Sequence, residues 1–437
     1  MIILKFLFWF SLLLVFYTYL GYGILLWVLV KIKEVVKKPL QKKLPPDNDL
    51  PPVTLFIAAY NEQDVVQAKM SNSLALDYPV DKMTIMWVTD GSNDKTVELL
   101  RPFETLHKHG SEGTDCLGEE LYCWKKSLHS PRIRVEHVQQ RGGKAAAFNR
   151  GIDFVTTPIV IFTDANTMLN REAVKEIVRE FTDEKVGCVA AEKRVNAQMS
   201  VAQESVKGDV VINGIAGMSE DAASTEGIYW KYESALKALD YRLYSAVGAA
   251  GELFAVRTNL YEKLGNDTLL DDFILSMRIA QRGYKIAYCS NAYAVEGTSA
   301  NIKEEGKRKV RIAAGGLQSI GRLLPLLNGF KYGVLSFQYL SHRVLRWSLT
   351  PVCLLLLIPL NTLLVWQEAG CFYNVMLGLQ GLFYLMGGAG WILSVKGRKN
   401  KILYVIYYFL FMNYNVFKGV RYLMTKKTGV WEKAKRK

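Results

Sequence analysis

Three intervals of this sequence carry no charged side chain. They run from Lys5 to Lys31, from Arg346 to Glu368, and from Glu368 to Lys396. Each is as long as or longer than the roughly 20 residues a helix needs to cross a bilayer, and that limits the chain more than any other feature. The first is too long for a secretory h-region. It is followed by VKIKEVVKK rather than a small-residue cleavage site, so it reads as an anchor. Basic stretches flank the intervals: KIKEVVKKPLQKK after the first, RVLRW before the second and KGRKNK after the third. The positive-inside tendency places them in the cytoplasm, together with the large segment from about Val53 to Phe330. The short WQEAG loop then faces out. A further apolar run, 402–417, is short for a span, and crossing would export a basic tail. It is expected to lie in the membrane plane or to re-enter, with both ends inside.

The segment between the anchors alternates two patterns. VTLFIAA, MTIMWVTD, RIRVEHV, PIVIFTD and VGCVAAEKRV read as strands, with helical stretches between them and GELFAVR as a further strand. Continuous apolar strands alternating with helices imply an α/β fold with a mostly parallel, Rossmann-like sheet covered on both faces. Ligands of such sheets bind beyond the carboxyl ends of the strands. The expected organisation is a transmembrane helix over 1–31, a Lys- and Pro-rich linker over 32–52 and a catalytic domain over 53–302. Interfacial helices follow over 303–346, then a C-terminal membrane region with a cytoplasmic tail over 347–437. YWKYESALKALDYRL reads as an amphipathic helix, and about Ala197 to Ser224 as a polar, Gly-rich loop.

The formal net charge of +14 is concentrated largely in juxtamembrane Lys and Arg, where anionic lipid headgroups are the natural partners. No zinc finger or aromatic RNA-binding signature accompanies it, and nucleic-acid binding is not expected. Six scattered cysteines do not make a disulfide framework for a reducing compartment. His107, His109, Cys116 and Cys123 cluster in a polar insertion, but their spacing fits no common zinc pattern.

The candidate chemistry collects at strand ends. AAYNEQ supplies a stackable Tyr60 and the carboxylate of Glu62. TDGSNDKT supplies Asp90, which could accept a hydrogen bond from an imide N–H or a ribose hydroxyl; DGSND is also ordinary turn and N-cap chemistry. RGGKAAAFN brings Lys144 without the spacing of a P-loop, so Lys144 meets a nucleotide as a point charge. In TDANT, Asp164 and Asn166 are two apart. On an extended chain both face one way and offer oxygens to Mg2+ or Mn2+, with substrate phosphates completing the shell; alternatively, Asn166 caps the next helix. LLDDF sets Asp271 beside Asp272. Mutual repulsion raises one pKa and suits that carboxylate to act as a general base, while helix-start acids are the plainer explanation. KRKVR, Lys307 to Arg311, has four cations in five residues. Lipid headgroups are one partner for it, and a diphosphate leaving group held by Arg311 is another.

In this order the motifs resemble the membrane-embedded inverting family 2 glycosyltransferases of GT-A fold, the group of cellulose, hyaluronan and poly-N-acetylglucosamine synthases. The resemblance extends from about Pro52 to Arg436. It implies a nucleotide-sugar donor, most often a UDP-sugar, a base site at Asp90, a Gly-Lys segment at Lys144 and a metal site of Mg2+ or Mn2+ at Asp164 and Asn166. It further implies an acceptor-side strand at Gly251 and Glu252, Asp271 in the Glu position beside the base Asp272, and diphosphate contacts from Arg308 and Arg311. VWEKAKR resembles the tail element that stays near the cytoplasmic site. Two residues depart from the pattern. Asn166 replaces an Asp, which weakens the metal site. Gln and Trp are absent from the Gln-x-x-Arg-Trp element, read here as Arg308 to Ile312, which puts processive synthesis in doubt. The acceptor is then a glycan or a lipid. Single transfer to a lipid carrier and a catalytically inactive scaffold subunit remain as alternatives, as do partner subunits. A multi-pass protein of a bacterial inner membrane with a cytoplasmic catalytic domain is the expected setting.

Overall fold

The computed structural model describes residues 1–37, 42–104, 131–196, 223–297, 302–396 and 400–425. The His107–Cys123 cluster, most of the Gly-rich loop and the VWEKAKR tail lie outside the described residues.

Eight strands form one sheet: β1 (Val53–Ala59), β2 (Met83–Asp90), β3 (Arg132–Val138), β4 (Ile159–Asp164), β5 (Thr167–Leu169), β6 (Val186–Asn196), β7 (Leu253–Arg257) and β8 (Lys285–Gly297). Their spatial order is β3-β2-β1-β4-β7-β6-β8-β5. β1 pairs in parallel with β2 and β4, and β2 with β3. These central strands are apolar on both sides because both sides are covered. Leu55 and Ile57 pack into one core cluster and Phe56 into the other. Phe162 of β4 lies 5.0 Å from Phe56 and stacks on Phe254 of β7 at 4.9 Å.

The sheet is less uniformly parallel than the strand pattern implies. β7 runs antiparallel to both β4 and β6. Apolar strands between helices do not encode direction, so the sequence pattern could not reveal this reversal. It has a positional consequence: Thr163, near the end of β4, pairs with Leu253 at the start of β7. Gly251 and Glu252 are thereby delivered to the edge where the parallel strands end.

Three helices are long and apolar enough to cross a membrane: Ile2–Val36, Leu349–Trp366 and Cys371–Val395. They coincide with the three charge-free intervals. The 402–417 run is part of one longer helix, Lys401–Thr425, which continues through Lys418 and Arg421 and is not among those three. It packs against the Ile302–Arg322 helix and against Cys371–Val395. The segment 329–347 is a series of short helices broken at Gly333, whose φ of +53° lies in the left-handed region. The charge-rich KRKVR stretch lies within the Ile302–Arg322 helix.

Candidate active site

A cavity of about 1120 Å³ opens beyond the ends of β1, β2 and β4. All twelve candidate residues line it: Tyr60, Glu62, Asp90, Lys144, Asp164, Asn166, Gly251, Glu252, Asp271, Asp272, Arg308 and Arg311.

At the end of β1 the backbone turns through Asn61 in the left-handed region, φ +54°, which short amides tolerate. Its side chain exchanges hydrogen bonds with Asn93, so the β1 and β2 loops are tied together. Asp94 caps the following turn by accepting from the Thr96 N–H at 2.9 Å. The plainer reading of DGSND therefore holds for Asp94 while Asp90 does something different. Asp90 accepts from the backbone N–H groups of Gly142 (3.0 Å) and Gly143 (2.6 Å) and from Arg150 Nη2 (2.8 Å). It fixes the Arg-Gly-Gly loop against the strand end. Gly91 is required there: with φ +70°, a Cβ would come within 2.8 Å of Arg141. Arg141, not singled out from the sequence, lies 3.7 Å over the ring of Tyr60.

Lys144 begins the Lys144–Gly151 helix and points into the cavity. Its Nζ donates to Asp164 Oδ1 at 2.7 Å and lies 3.8 Å from Asp271 Oδ2. Burial opposes its charge, but Asp164, Asp271 and Asp272 together hold its pKa above the ordinary lysine value. Lys144 thus bridges Asp164 and Asp271, where the sequence pointed only to a point charge for a nucleotide.

Asp164 ends β4. Ala165 and Asn166 form a turn, and β5 follows immediately. Asn166 therefore does not cap the next helix, which begins only at Ala173. Nor is the chain extended through Asn166, as the two-apart argument assumed. Its Oδ1 is nevertheless buried without a hydrogen-bond partner among the described residues, and it lines the cavity beside Asp164. A buried acceptor left unpaired costs about 1–3 kcal/mol and points to a ligand that completes it. Lys69 supports this turn from below, donating to Thr163 Oγ1 at 3.1 Å and to the Thr167 carbonyl at 2.7 Å. Full burial pushes the Lys69 amine down to about 7, with Asp164 acting in the opposite sense.

Asp271 and Asp272 open the Asp271–Gln281 helix, as the sequence suggested. Burial, and then the neighbouring Asp271, push the Asp272 carboxyl up to about 7, against the pull of Lys144. Asp271 Oδ2 is buried and has no hydrogen bond. Gly251 separates the two sides of the site. A Cβ on it would sit 3.1 Å from Lys144 Nζ and 3.2 Å from Asp272 Oδ2. Arg311 is half-buried; desolvation lowers its pKa, while Asp271, Asp272 and Asp164 act to raise it. It faces the acid cluster. Glu252 and Arg308 pair with each other at 3.3 Å, and Lys193 of β6 reaches Glu252 at 2.5 Å. Burial raises the Glu252 pKa, but Lys193 and Arg308 hold it well below the usual carboxylate range.

The cavity also extends beyond the predicted set, toward the membrane helices. Tyr19 of the first span lines it, and so do Val405, Phe409 and Met412 of the Lys401–Thr425 helix. Charged residues on the Ala223–Leu243 helix also face this way. Glu233, Lys237 and Asp240 are 2%, 5% and 0% exposed. Their i, i+4, i+7 spacing marks one helix face, which a sequence reader assigns to solvent.

A curled mixed sheet with an acid cluster at the ends of its parallel strands is the architecture of a GT-A glycosyltransferase. Residues 54–220 match the family described as "Glycosyl transferase family 2". The chain's similarity reaches the poly-beta-1,6-N-acetyl-D-glucosamine synthase of Staphylococcus aureus (strain MSSA476), 26% identical over 293 residues. That alignment covers 64% of this chain and 58% of the synthase, so the matched part is little more than half of that relative. A mannosyltransferase of Pyrobaculum calidifontis, solved with GDP-Man and Mn2+, shares the fold with a TM-score of 0.64 at 18% identity. That match covers 96% of this chain and 99% of the mannosyltransferase.

Proposed function

We propose that this protein transfers a sugar, with inversion, from a nucleoside-diphosphate sugar to a hydroxyl of a glycan or lipid acceptor at the cytoplasmic face of a bacterial inner membrane. The donor is a UDP-sugar. Asp272 carries the reading: a half-buried carboxyl with its pKa raised to about 7, lining the cavity that also holds Asp90, Lys144 and Asp164. A base whose pKa lies near the working pH is efficient at removing an acceptor proton. The acceptor oxygen then bonds to C1 from the face opposite the diphosphate. The C1–O bond breaks, the diphosphate leaves with the electron pair, and Asp272 keeps the proton.

Asp164 and the unpaired Asn166 Oδ1 suit a hard divalent cation, Mg2+ or Mn2+, with the donor phosphates supplying further oxygens. When bound, such an ion supplies Lewis-acid stabilisation of developing negative charge, typically several kcal/mol. Among the described residues no cluster of three His, Cys, Asp or Glu forms a self-sufficient metal site, which fits an ion held jointly with substrate. Arg311 adds a cation near the same acids, and Lys144 keeps Asp164 oriented. Asp90 holds the loop that faces the nucleoside, with Tyr60 and Glu62 beside it.

The test is UDP release by the detergent-purified protein across a panel of UDP-sugars, with Mn2+, Mg2+ or EDTA. Metal-dependent release from one donor, lost in Asp272→Asn while UDP binding persists, is the expected result. Turnover retained by Asp272→Asn would remove the residue from the base role. UDP binding without release from any donor, under every acceptor condition, would favour an inactive scaffold subunit. A second reading, single transfer to a lipid carrier, is favoured by the extension of the cavity to Tyr19 of the first membrane helix.

A further inference from the structure

Lys237 is a buried lysine to which the described residues offer no hydrogen bond. It lies on the Ala223–Leu243 helix and is 5% exposed. It lines the cavity on the side toward the membrane helices, and among the described residues no hydrogen bond or ion pair reaches its Nζ. The neighbouring cations differ in this respect. Arg343 lies 2.5 Å and Arg346 2.8 Å from Glu233, and both are balanced by it. Glu252 is already engaged by Lys193 and Arg308. A lysine so little exposed, whose amine opens only onto the cavity, is stabilised by an anion that enters there. Burial lowers its pKa and Arg343 lowers it further, while Glu233, Glu252 and Asp272 act to raise it.

The walls around this amine indicate what could supply the anion. Tyr19 and Leu20 come from the first membrane span, and Val405, Phe409 and Met412 from the Lys401–Thr425 helix. A cationic point beside a wall of apolar and aromatic side chains, one of them on a membrane helix, fits an anionic head joined to a hydrocarbon chain. A soluble glycan offers neither the charge nor the apolar tail. Lys237 and Asp272 line the same cavity, so a head group seated on Lys237 shares the chamber with the reacting centre.

We propose that Lys237 is the anchor of an acceptor subsite, and that the acceptor is a membrane-borne phosphate whose head seats on Lys237 and whose chain runs along the Lys401–Thr425 helix. The inference rests on the glycosyltransferase reading and specifies its acceptor. The lipid can be a phosphate monoester on a long chain or a phosphodiester head group, since both present anionic phosphate oxygens; the hydroxyl that gives its proton to Asp272 is the P–OH of the monoester or an alcohol of the diester's head group.

The test uses the full chain in phosphatidylcholine nanodiscs. Binding of dodecyl phosphate, short-chain phosphatidylglycerol, inorganic phosphate and neutral dodecyl maltoside is measured by calorimetry, for wild type and Lys237→Met. UDP binding with Mn2+ is measured on the same samples. Wild type is expected to bind at least one phosphate amphiphile, with Lys237→Met weakening it ten-fold or more while UDP binding is unchanged. The variant should melt at the same or a higher temperature, because it removes a buried amine to which the described residues offer no hydrogen bond; a residue with only a structural role would lower it. The amphiphile that binds more tightly, monoester or diester, identifies the source. Equal binding by Lys237→Met, equal binding of dodecyl maltoside, or equal affinity for inorganic phosphate would overturn the proposal. Loss of UDP binding in wild type with phosphate-lipid binding preserved would overturn the glycosyltransferase reading and leave the subsite standing.

Discussion

Two clusters of buried charge sit about the same cavity, and they are built differently. At the sheet edge, Asp164, Asp271 and Asp272 surround one lysine, Lys144, with Arg311 nearby. At the junction with the membrane helices, Glu233 lies within ion-pair distance of Arg343, Arg346 and His342, while Asp240 takes the other side of His342 at 2.6 Å. Tyr22 of the first span donates to Asp240 at 2.5 Å. The junction is nearly charge-balanced. Burial works against the Glu233 charge, yet Arg343, His342 and Arg346 hold its carboxyl well below the usual range. The sheet edge is over-supplied with acid, so one carboxyl, Asp272, is driven up, and Asp271 Oδ2 and Asn166 Oδ1 go unpaired. The balanced cluster joins three segments of the chain: the first span, the Ala223–Leu243 helix and the 329–347 segment. The unbalanced one leaves acceptor atoms without donors among the described residues. Buried charge can therefore serve cohesion or chemistry, and the presence of counter-ions decides which.

This contrast can be broken by mutation. The largest effect is expected from Asp272→Asn, which should lower transfer by about 10²–10⁴-fold, read as UDP release, with no loss of folding. Next is Glu233→Ala. Removing the shared counter-ion strands two guanidiniums and an imidazole, and breaking a buried pair of this kind costs about 3–5 kcal/mol. Its melting temperature in detergent should fall well below wild type; an unchanged melt would mean that the junction does not hold the domain. A smaller effect follows from pH. The folded pKa of Asp272 lies above the roughly 3.9 of an unfolded Asp, so its stabilising contribution is present below that value and is lost as pH rises through about 7. Asp272→Asn should therefore melt above wild type at pH 8, with the gap closing at pH 5. Over the same range wild-type transfer should rise with pH through about 7 and then level off. The smallest effect is expected from Asn166→Ala: no loss of stability, because its Oδ1 is unpaired, but about a ten-fold greater Mn2+ requirement for UDP release.

Much of the sheet edge was legible in the sequence, and the junction was not. Asp164, Asp271 and Asp272 stand next to strand or helix boundaries in local motifs, and local motifs survive reading one residue at a time. Asp90 was found for the same reason, although its partners, Gly142, Gly143 and Arg150, come from a distant loop. Lys69 and Lys193 were missed because their counterparts lie 94 and 59 residues away or more, at Thr163 and Glu252. Glu233, Lys237 and Asp240 were legible as a polar face, but periodicity does not say whether such a face meets water or another charged face. The direction of β7 was hidden for a similar reason: alternation fixes which side chains share a face, not which way a strand runs.

Tyr19 of the first membrane helix donates to Asn413 of the Lys401–Thr425 helix at 2.7 Å, and both line the cavity. The enclosure is thus closed by segments nearly 400 residues apart in the order of synthesis. On the ribosome, every acid of the site has emerged before the helix that completes its wall. A nascent chain can fold its sheet and gather Asp164 and Asp272 while the far side of the cavity still stands open to lipid and water. Enclosure then waits for the Lys401–Thr425 helix to pack, and a chain released before it would hold the acid cluster without the chamber.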